Sequence, residues 1–375
     1  MFSNAIKLFS VSGFDIKVDP SWLVIASLVT WSLSEQYFPK TLPDASHAAY
    51  VTMGIFGMLG LFGSLLLHEL AHCVVARSLA VPTKSITLFI FGGMAHLGAE
   101  LSSARDELWI AIAGPIMSLS LAIILWLFAR AAVATGISGA ALEVISYLAM
   151  INLVLALFNL VPAFPMDGGR ILRAYLWSRS GNVLSATQIA ARSGTIFGYF
   201  LIGLGILALF QGALLAGLWQ LLIGGFVLVA ARASYVDQLA RAVFEGKSVA
   251  DLMTRDAITV GPEMRLTEFA HDIMLAHNVT FVPVIEADVL LGHIEQSVLS
   301  RIDRENWENT RVGDVFVGLE TDSMVSPDLL VTDLLNIITS SGRRKFMVVL
   351  DHQLLGVITL ADLFQHLTPA NLKRL

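Results

Sequence analysis

Six apolar runs mark the first two thirds of the chain: Trp22–Tyr37, Val51–Leu79, Leu108–Val133, Leu142–Val161, Thr195–Phe210 and Leu214–Ala231. A helix needs about 20 largely apolar residues to cross a bilayer core. Each run therefore predicts a span, the first being short enough to need its flanks. Between the second and third runs the period changes. Ile86, Leu88 and Ile90 alternate with Thr87 and Phe89, which is strand-like, and Gly92-Gly93 are expected to turn that strand back. Beyond residue 245 the apolar runs shorten and charge fills the gaps. The pattern predicts a polytopic α-helical membrane protein of about six transmembrane helices with a membrane-associated β-hairpin, followed by a soluble α/β region.

Composition agrees. Only 14% of the 375 residues are charged and 55% are hydrophobic, whereas soluble chains carry about 25% charged residues. The mean hydropathy is +0.71. A disordered chain, a collagen, a coiled coil and an ordinary cytosolic enzyme are excluded. Residues 1–245 hold 13 Lys+Arg against 12 Asp+Glu, and residues 246–375 hold 11 against 18, which sum to the net −6. The acidic charge lies in the soluble part, and nothing points to nucleic acid. One cysteine excludes an internal disulfide and a cysteine-cluster metal site.

Basic residues cluster in alternate connections: Lys7 and Lys17 before the first run, Arg77, Lys84 and Arg105 after the second, Arg170, Arg173, Arg179 and Arg192 after the fourth, and Arg232, Arg241 and Lys247 after the sixth. The positive-inside bias then puts both termini in the cytoplasm. Residues 1–21 lack the apolar core and small-residue site of a cleavable signal. The default location is a prokaryotic plasma membrane, crossed several times.

Ionisable residues inside a span are costly and functional by default. One cluster dominates: His68-Glu69-Leu70-Ala71-His72. Residues i and i+4 share a helix face, so both imidazoles can bind one metal, with Glu69 beside them to polarise water. Zinc suits such a donor set. Asp167 is the best candidate for a third ligand, in Asn159-Leu-Val-Pro-Ala-Phe-Pro-Met-Asp-Gly-Gly-Arg170. Pro162 and Pro165 break the helix there, and Gly168-Gly169 are expected to let the backbone turn sharply. Irregular backbone at membrane depth belongs at a wet cavity or inside protein. Asn159 is a candidate donor to a substrate carbonyl. The Phe89–Gly93 strand edge, with Gly92 and Gly93, is a candidate dock for an extended peptide. His96 is a spare ligand candidate. Gly114-Pro115, with Ser118 nearby, reads as helix packing.

HELAH in an apolar helix, an FGGMA loop, AGP in the next span and NLVPAFPMDGGR, in that order over residues 15–240, closely resemble the site-2 protease family of intramembrane zinc metalloproteases. The resemblance implies one zinc on His68, His72 and Asp167, Glu69 as catalytic base, and a transmembrane protein substrate cut in or near the bilayer.

The soluble part repeats itself. Val249-Ala-Asp-Leu-Met253 parallels Val312-Gly-Asp-Val-Phe316, Phe281-Val-Pro-Val-Ile285 parallels Phe346-Met-Val-Val-Leu350, and Leu291-Gly-His-Ile294 parallels Leu355-Gly-Val-Ile358. This resembles a tandem pair of CBS domains, at 246–303 and 311–369, after a membrane domain at 1–240. The resemblance implies an adenine nucleotide (ATP, ADP or AMP) at a Gly-x-hydrophobic-Thr-x-x-Asp pattern. The second copy has it as Gly356, Thr359 and Asp362; the first has Glu295 and Val298 instead. Arg343, Arg344 and Lys345 are candidate phosphate contacts. Nucleotide control of cleavage and self-association through the CBS pair are expected. The competing expectation is a CBS-gated transporter or channel, for which Glu69 would be dispensable.

Overall fold

The computed structural model describes residues 5–89, 92–97, 101, 103–287, 289–351 and 353–366. The chain divides into two compact units, one ending at Gln238 and the other starting at Leu239.

The membrane unit opens with strands β1 (Ile6–Val11) and β2 (Phe14–Val18). A helical stretch follows in three pieces: α1 (Ser21–Ser32), a π-helical segment Leu33–Tyr37 and α2 (Phe38–Thr41). Next come α3 (His47–Ser78), β3 (Thr83–Phe89), β4 (Gly92–Leu97), α4 (Ala104–Ala134), α5 (Ala140–Asn159), α6 (Asp167–Ser180), α7 (Val183–Phe210) and α8 (Leu214–Phe244). Among the described residues, five helices are long and apolar enough to cross a membrane: α3, α4, α5, α7 and α8. The sixth expected span, Trp22–Tyr37, is helical but interrupted by the π segment, so no single helix there qualifies. Their outer faces are apolar and exposed: Phe56, Ile124, Phe128, Ile196, Phe210 and Val229 all stand clear of the protein. In water such faces would be unfavourable; against lipid tails they are matched.

Helix α3 sets the frame. Its N-cap Ser46 accepts from Ala49 N, satisfying one of the free first-turn N–H groups. Its 32 residues span about 48 Å at 1.5 Å per residue. Its C-terminal end is seated on the sheet. Phe14, Ile16 and Ile86, all fully buried, pack on Cys73, and the Arg77 guanidinium lies 3.7 Å from the Phe14 ring centroid.

The expected hairpin is part of a larger sheet of order β1-β2-β3-β4. β3 pairs antiparallel with β4 and parallel with β2. Phe89 pairs Gly92 and Leu88 pairs Gly93. The two glycines are thus the first residues of β4 and do not turn the strand back; positions 90 and 91 lie outside the described residues. β1 and β2 carry Lys7, Asp15 and Lys17 among short apolar stretches, a pattern too brief to read as strands without the β3 edge that pairs them.

The second unit holds α9 (Val249–Leu252), α10 (Leu266–Glu268) prolonged by a π-helical segment Phe269–Leu275, β5 (Phe281–Glu286), β6 (Val289–Glu295), α11 (Gln296–Leu299), α12 (Val312–Val315), β7 (Val317–Gly318), β8 (Met324–Val325), α13 (Val331–Ser341), β9 (Lys345–Leu350), β10 (Gln353–Thr359) and α14 (Leu360–His366). Two three-stranded sheets form, β5-β6-β7 and β10-β9-β8. The cores exchange segments. Val249, from the start of the first repeat, packs with Phe346, Val348 and Ile358 of the second. Val312, from the start of the second, packs with Val282, Val284 and Ile294 of the first. Phe281 and Leu290 meet Met347 between the sheets. Each copy's hydrophobic core is completed by the other, so neither is closed alone.

Candidate metal centre

The two histidines of the HELAH turn sit one above the other on α3, with ring centroids 4.9 Å apart. Both are buried, at 2% and 5% exposure. His72 Nδ1 donates to the Ile110 carbonyl at 2.6 Å. A carbonyl can only accept, so the proton is on Nδ1 and the Nε2 lone pair is free to face a metal. His68 Nδ1 lies 2.9 Å from Ser118 Oγ, which accepts in the same tautomer. Both Nε2 atoms converge on Asp167 Oδ2, at 3.1 and 3.2 Å.

Asp167 arrives from the other side of the fold. Helix α5 ends at Asn159, residues 161–166 are non-helical, and α6 begins at Asp167. Two prolines explain the break, since neither offers a backbone donor. The irregular segment is tied down: Phe164 N donates to Ala190 O at 3.3 Å and Ser193 Oγ donates to Pro162 O at 2.6 Å. Gly168 and Gly169 do not turn the chain; both lie in the first turn of α6 at ordinary helical φ. A Cβ on Gly168 would sit 2.5 Å from Leu160 C, and one on Gly169 2.5 Å from Phe164 N. The glycines let the helix start flush against its own approach segment, which brings Asp167 to the histidines.

His68, His72 and Asp167 are a buried group whose candidate ligand atoms all lie within 4.8 Å of one another. Two imidazoles and a carboxylate suit zinc with a position left open for substrate or water. Gly114 supplies a second fit. A Cβ there would overlap His72 Nε2 and lie 2.5 Å from His68 Nε2. The missing side chain leaves the hollow where the two imidazoles point. Gly114 and Ser118, which the sequence reads as helix packing, and the Ile110 carbonyl, which it does not single out, are what hold or admit the two imidazoles. The one available signal was their i, i+4, i+8 spacing, which puts all three on one face of α4.

A cavity of about 530 Å³ opens beside the three candidate ligands, lined by Glu69, Phe89, Gly92, Gly93, Asn159 and Arg170 among others. Glu69 packs against β4: a Cβ on Gly93 would lie 2.6 Å from Glu69 Cγ. β4 is the last strand of its sheet among the described residues, so a strand edge runs past the carboxylate. Asn159 turns one amide N–H back to Leu155 O at 3.0 Å and keeps the other. The His96 side chain lies outside the described residues. In the second unit, Asp362 Oδ2 accepts from Thr359 N and Thr359 Oγ1, both at 2.8 Å. Lys345 reaches Glu295 at 3.5 Å and donates to Thr280 O at 3.1 Å, and Arg343 pairs with Glu320. Two of the three expected phosphate contacts are therefore already engaged.

Taken together, a membrane-embedded helical fold and a buried His-His-Asp centre beside a glutamate define a metallohydrolase class. Residues 56–139 and 131–202 match the model of peptidase family M50, and residues 249–300 and 312–368 match the CBS domain. The chain is 34% identical over 361 residues to the protein named "Putative zinc metalloprotease Rip3" of Mycobacterium tuberculosis, covering 96% of this chain and 92% of that one. It is 33% identical to zinc metalloprotease MJ0392 of Methanocaldococcus jannaschii, covering 84% and 85%. The solved site-2 protease of M. jannaschii aligns with 28% identity and a TM-score of 0.45, over 62% of this chain and 95% of that chain. The chain belongs to peptidase family M50, the site-2 proteases, with a C-terminal CBS pair. It is an integral membrane metalloprotease, and the transporter or channel alternative loses its basis.

Proposed function

We propose that His68, His72 and Asp167 hold one zinc ion and that Glu69 is the general base for hydrolysing a peptide bond of a transmembrane protein substrate at bilayer depth. The observation that carries this is the convergence of both Nε2 atoms on Asp167 Oδ2, with each Nδ1 held by α4. When bound, zinc supplies a Lewis acid that polarises the scissile carbonyl and makes water acidic enough to be deprotonated near neutral pH. Glu69 takes the proton from the attacking water and returns it to the leaving amine. Gly92 and Gly93 of β4 offer the strand edge that holds the substrate extended, with Phe89 of the adjoining β3 lining the cavity beside them, because a helical peptide bond is already hydrogen-bonded and shielded. Asn159 donates its remaining N–H to the substrate.

Thr359 and Asp362 are the proposed ribose contacts of one adenine nucleotide (ATP, ADP or AMP), whose binding modulates cleavage. Self-association through the CBS pair, a plasma-membrane location and cytoplasmic termini complete the reading, the last on the alternation of basic connections.

The test pairs metal content with cleavage. Wild type, Glu69→Gln and Asp167→Ala, purified in detergent, are assayed on a panel of single-span membrane proteins. Wild type should cleave and carry about one zinc per chain; Glu69→Gln should keep the zinc and lose activity by roughly 10²–10⁴-fold; Asp167→Ala should lose both. Metal-replete wild type without zinc would refute the reading.

A further inference from the structure

One cation in the cavity is left without a task by this mechanism. Arg170 lines the cavity beside His68, Glu69, His72 and Asp167, and its side chain is only 22% exposed. Its guanidinium stands between two carboxylates and is bonded to neither: Nη1 is 4.0 Å from Asp167 Oδ1 and Nε is 4.0 Å from Glu107 Oε1. None of its side-chain N–H groups finds a hydrogen-bond acceptor among the described residues. Its neighbour Arg173 is the opposite case. Arg173 Nε donates to Glu107 Oε1 at 2.7 Å, its Nη2 donates to the same oxygen, and its guanidinium lies 5.2 Å from the Phe164 ring centroid. Glu107 is fully buried, and its Oε2 has no partner.

A structural arginine at this depth would close a bond to one carboxylate, as Arg173 does, because an uncommitted cation in a low-dielectric site is costly. Arg170 as an orienter of Asp167 would likewise need contact at about 2.8 Å. Moreover, a cation hydrogen-bonded to the ligand carboxylate would compete with the metal for its negative charge. The 4.0 Å stand-off on both sides instead keeps planar, charged donors free in the cavity that His68, Glu69, His72 and Asp167 also line.

We propose that Arg170 is a further catalytic residue of this site: its guanidinium donates to the substrate's scissile carbonyl oxygen as negative charge develops there. The proposal rests on the zinc-protease reading above. In the step concerned, the water oxygen bonds to the carbonyl carbon and the C=O π pair moves to oxygen, where Arg170 meets it. On collapse the C–N bond breaks, and the amine leaves with the proton that Glu69 carried. An oxyanion donor is worth about 10²–10³ in kcat.

Arg170→Gln and Arg170→Lys are compared with wild type and Glu69→Gln on a cleaved panel substrate, with zinc content, kcat and KM measured separately. Inhibition by a phosphinic peptide analogue of the cleaved bond is measured on the same samples. Arg170→Gln should keep about one zinc, lose at least 100-fold in kcat with KM within about threefold, and weaken phosphinate binding by a comparable factor. Arg170→Lys, which keeps the charge but not the planar fork, should fall between the two. Unchanged kcat, a rise in KM alone, or loss of zinc in parallel with activity would each overturn the proposal, the last by making Arg170 a support for Asp167. If Arg170→Gln does not fold, Arg170→Lys decides, and full activity with full phosphinate affinity overturns it. Inert, zinc-free wild type would sink the protease reading itself; active wild type with an inert Glu69→Gln and a fully active Arg170→Gln would sink only this inference.

Discussion

At the candidate metal centre, His68, His72 and Asp167 are each more than nine-tenths buried, each Nδ1 is held by α4, and both Nε2 atoms face Asp167 Oδ2. In the soluble unit, Thr359 and Asp362 are half-buried and bond mainly to each other. The first centre is assembled from three helices that would not otherwise need to meet; the second is a local turn of four residues that forms with its own strand end. The difference predicts how each fails. A small change at the membrane site should be all or none, because the two imidazoles and Asp167 are packed too closely to shift aside. A change at the CBS turn should be graded.

The largest effect should come from adding one methyl group. Gly114→Ala puts a Cβ into both imidazole tips, and α4 cannot retreat without losing the Ile110 and Ser118 contacts. Zinc content should fall below roughly a tenth of wild type, in line with the 10–100-fold cost of disturbing outer-shell groups, and cleavage should fall with it. Gly63→Ala, on α3 with nothing within 4 Å of the added atom, should leave both unchanged. Normal zinc in Gly114→Ala would mean that the two helices are looser than the packing implies.

Next comes the buried ion pair of the same unit. Glu107→Leu removes the acceptor of Arg173 from a fully buried position. Breaking a buried pair from one side costs about 3–5 kcal/mol, which a melting curve in detergent would register directly. Glu107→Gln, which still accepts a hydrogen bond, should cost clearly less. Equal melting of all three proteins would show that Arg173 finds another partner.

Sequence reasoning picked out the residues that the structure brings together, His68, His72 and Asp167, better than it picked out their surroundings, for a physical reason. A histidine pair and a glutamate in an apolar helix announce themselves, and Pro162, Pro165 and Asp167 mark an irregular stretch that can bring a third candidate ligand. What supports the ligands is mostly backbone and absence: the Ile110 carbonyl, the missing Gly114 side chain, and Gly168 and Gly169 admitting a close approach. None of these has a polar signature. Glu107 was legible only as a charge at a helix start, since its partner Arg173 is 66 residues away. The β1–β2 strands were hidden because their order depends on pairing with β3. In the soluble unit the repeats were visible, but the exchange of Val249 and Val312 between the cores was not, because an offset of 63 residues is the same whether a segment packs on its own copy or on the other.

The two CBS copies allow a finer comparison. Thr359→Val and Asp362→Ala should each weaken adenine-nucleotide binding by about tenfold, the worth of roughly 1.4 kcal/mol, when ATP, ADP and AMP are titrated into the full chain. In the first copy Glu295 is held by Lys345 and Val298 offers no acceptor. The double change Glu295→Thr with Val298→Asp frees Lys345 and restores the acceptor, so the binding stoichiometry should rise from one toward two. No heat with any of the three nucleotides would leave the CBS pair as an interaction module.

The smallest expected effect is a pH dependence confined to the soluble unit. His293 is 5% exposed, its ring lies against Phe281 with centroids 4.9 Å apart, and its Nδ1 has no hydrogen-bond partner among the described residues. Burial pushes its pKa below the ordinary histidine value. The charges around it, Glu295 and Glu320 against Arg343 and Lys345, oppose one another, so burial decides. The unfolded chain therefore binds this proton more readily than the folded one, and stability must rise with pH where their protonation differs. As pH falls below about 6.5, the unfolded value, the soluble unit should lose stability until the folded histidine also takes up its proton. His293→Phe, which fills the same apolar site without a titrating nitrogen, should flatten that slope between about pH 5 and 7. An unchanged slope in urea melts of the full chain followed at a soluble-unit probe would show that His293 reaches solvent readily enough to titrate normally, and the contrast between a rigid membrane site and a yielding soluble unit would then extend to this buried ring.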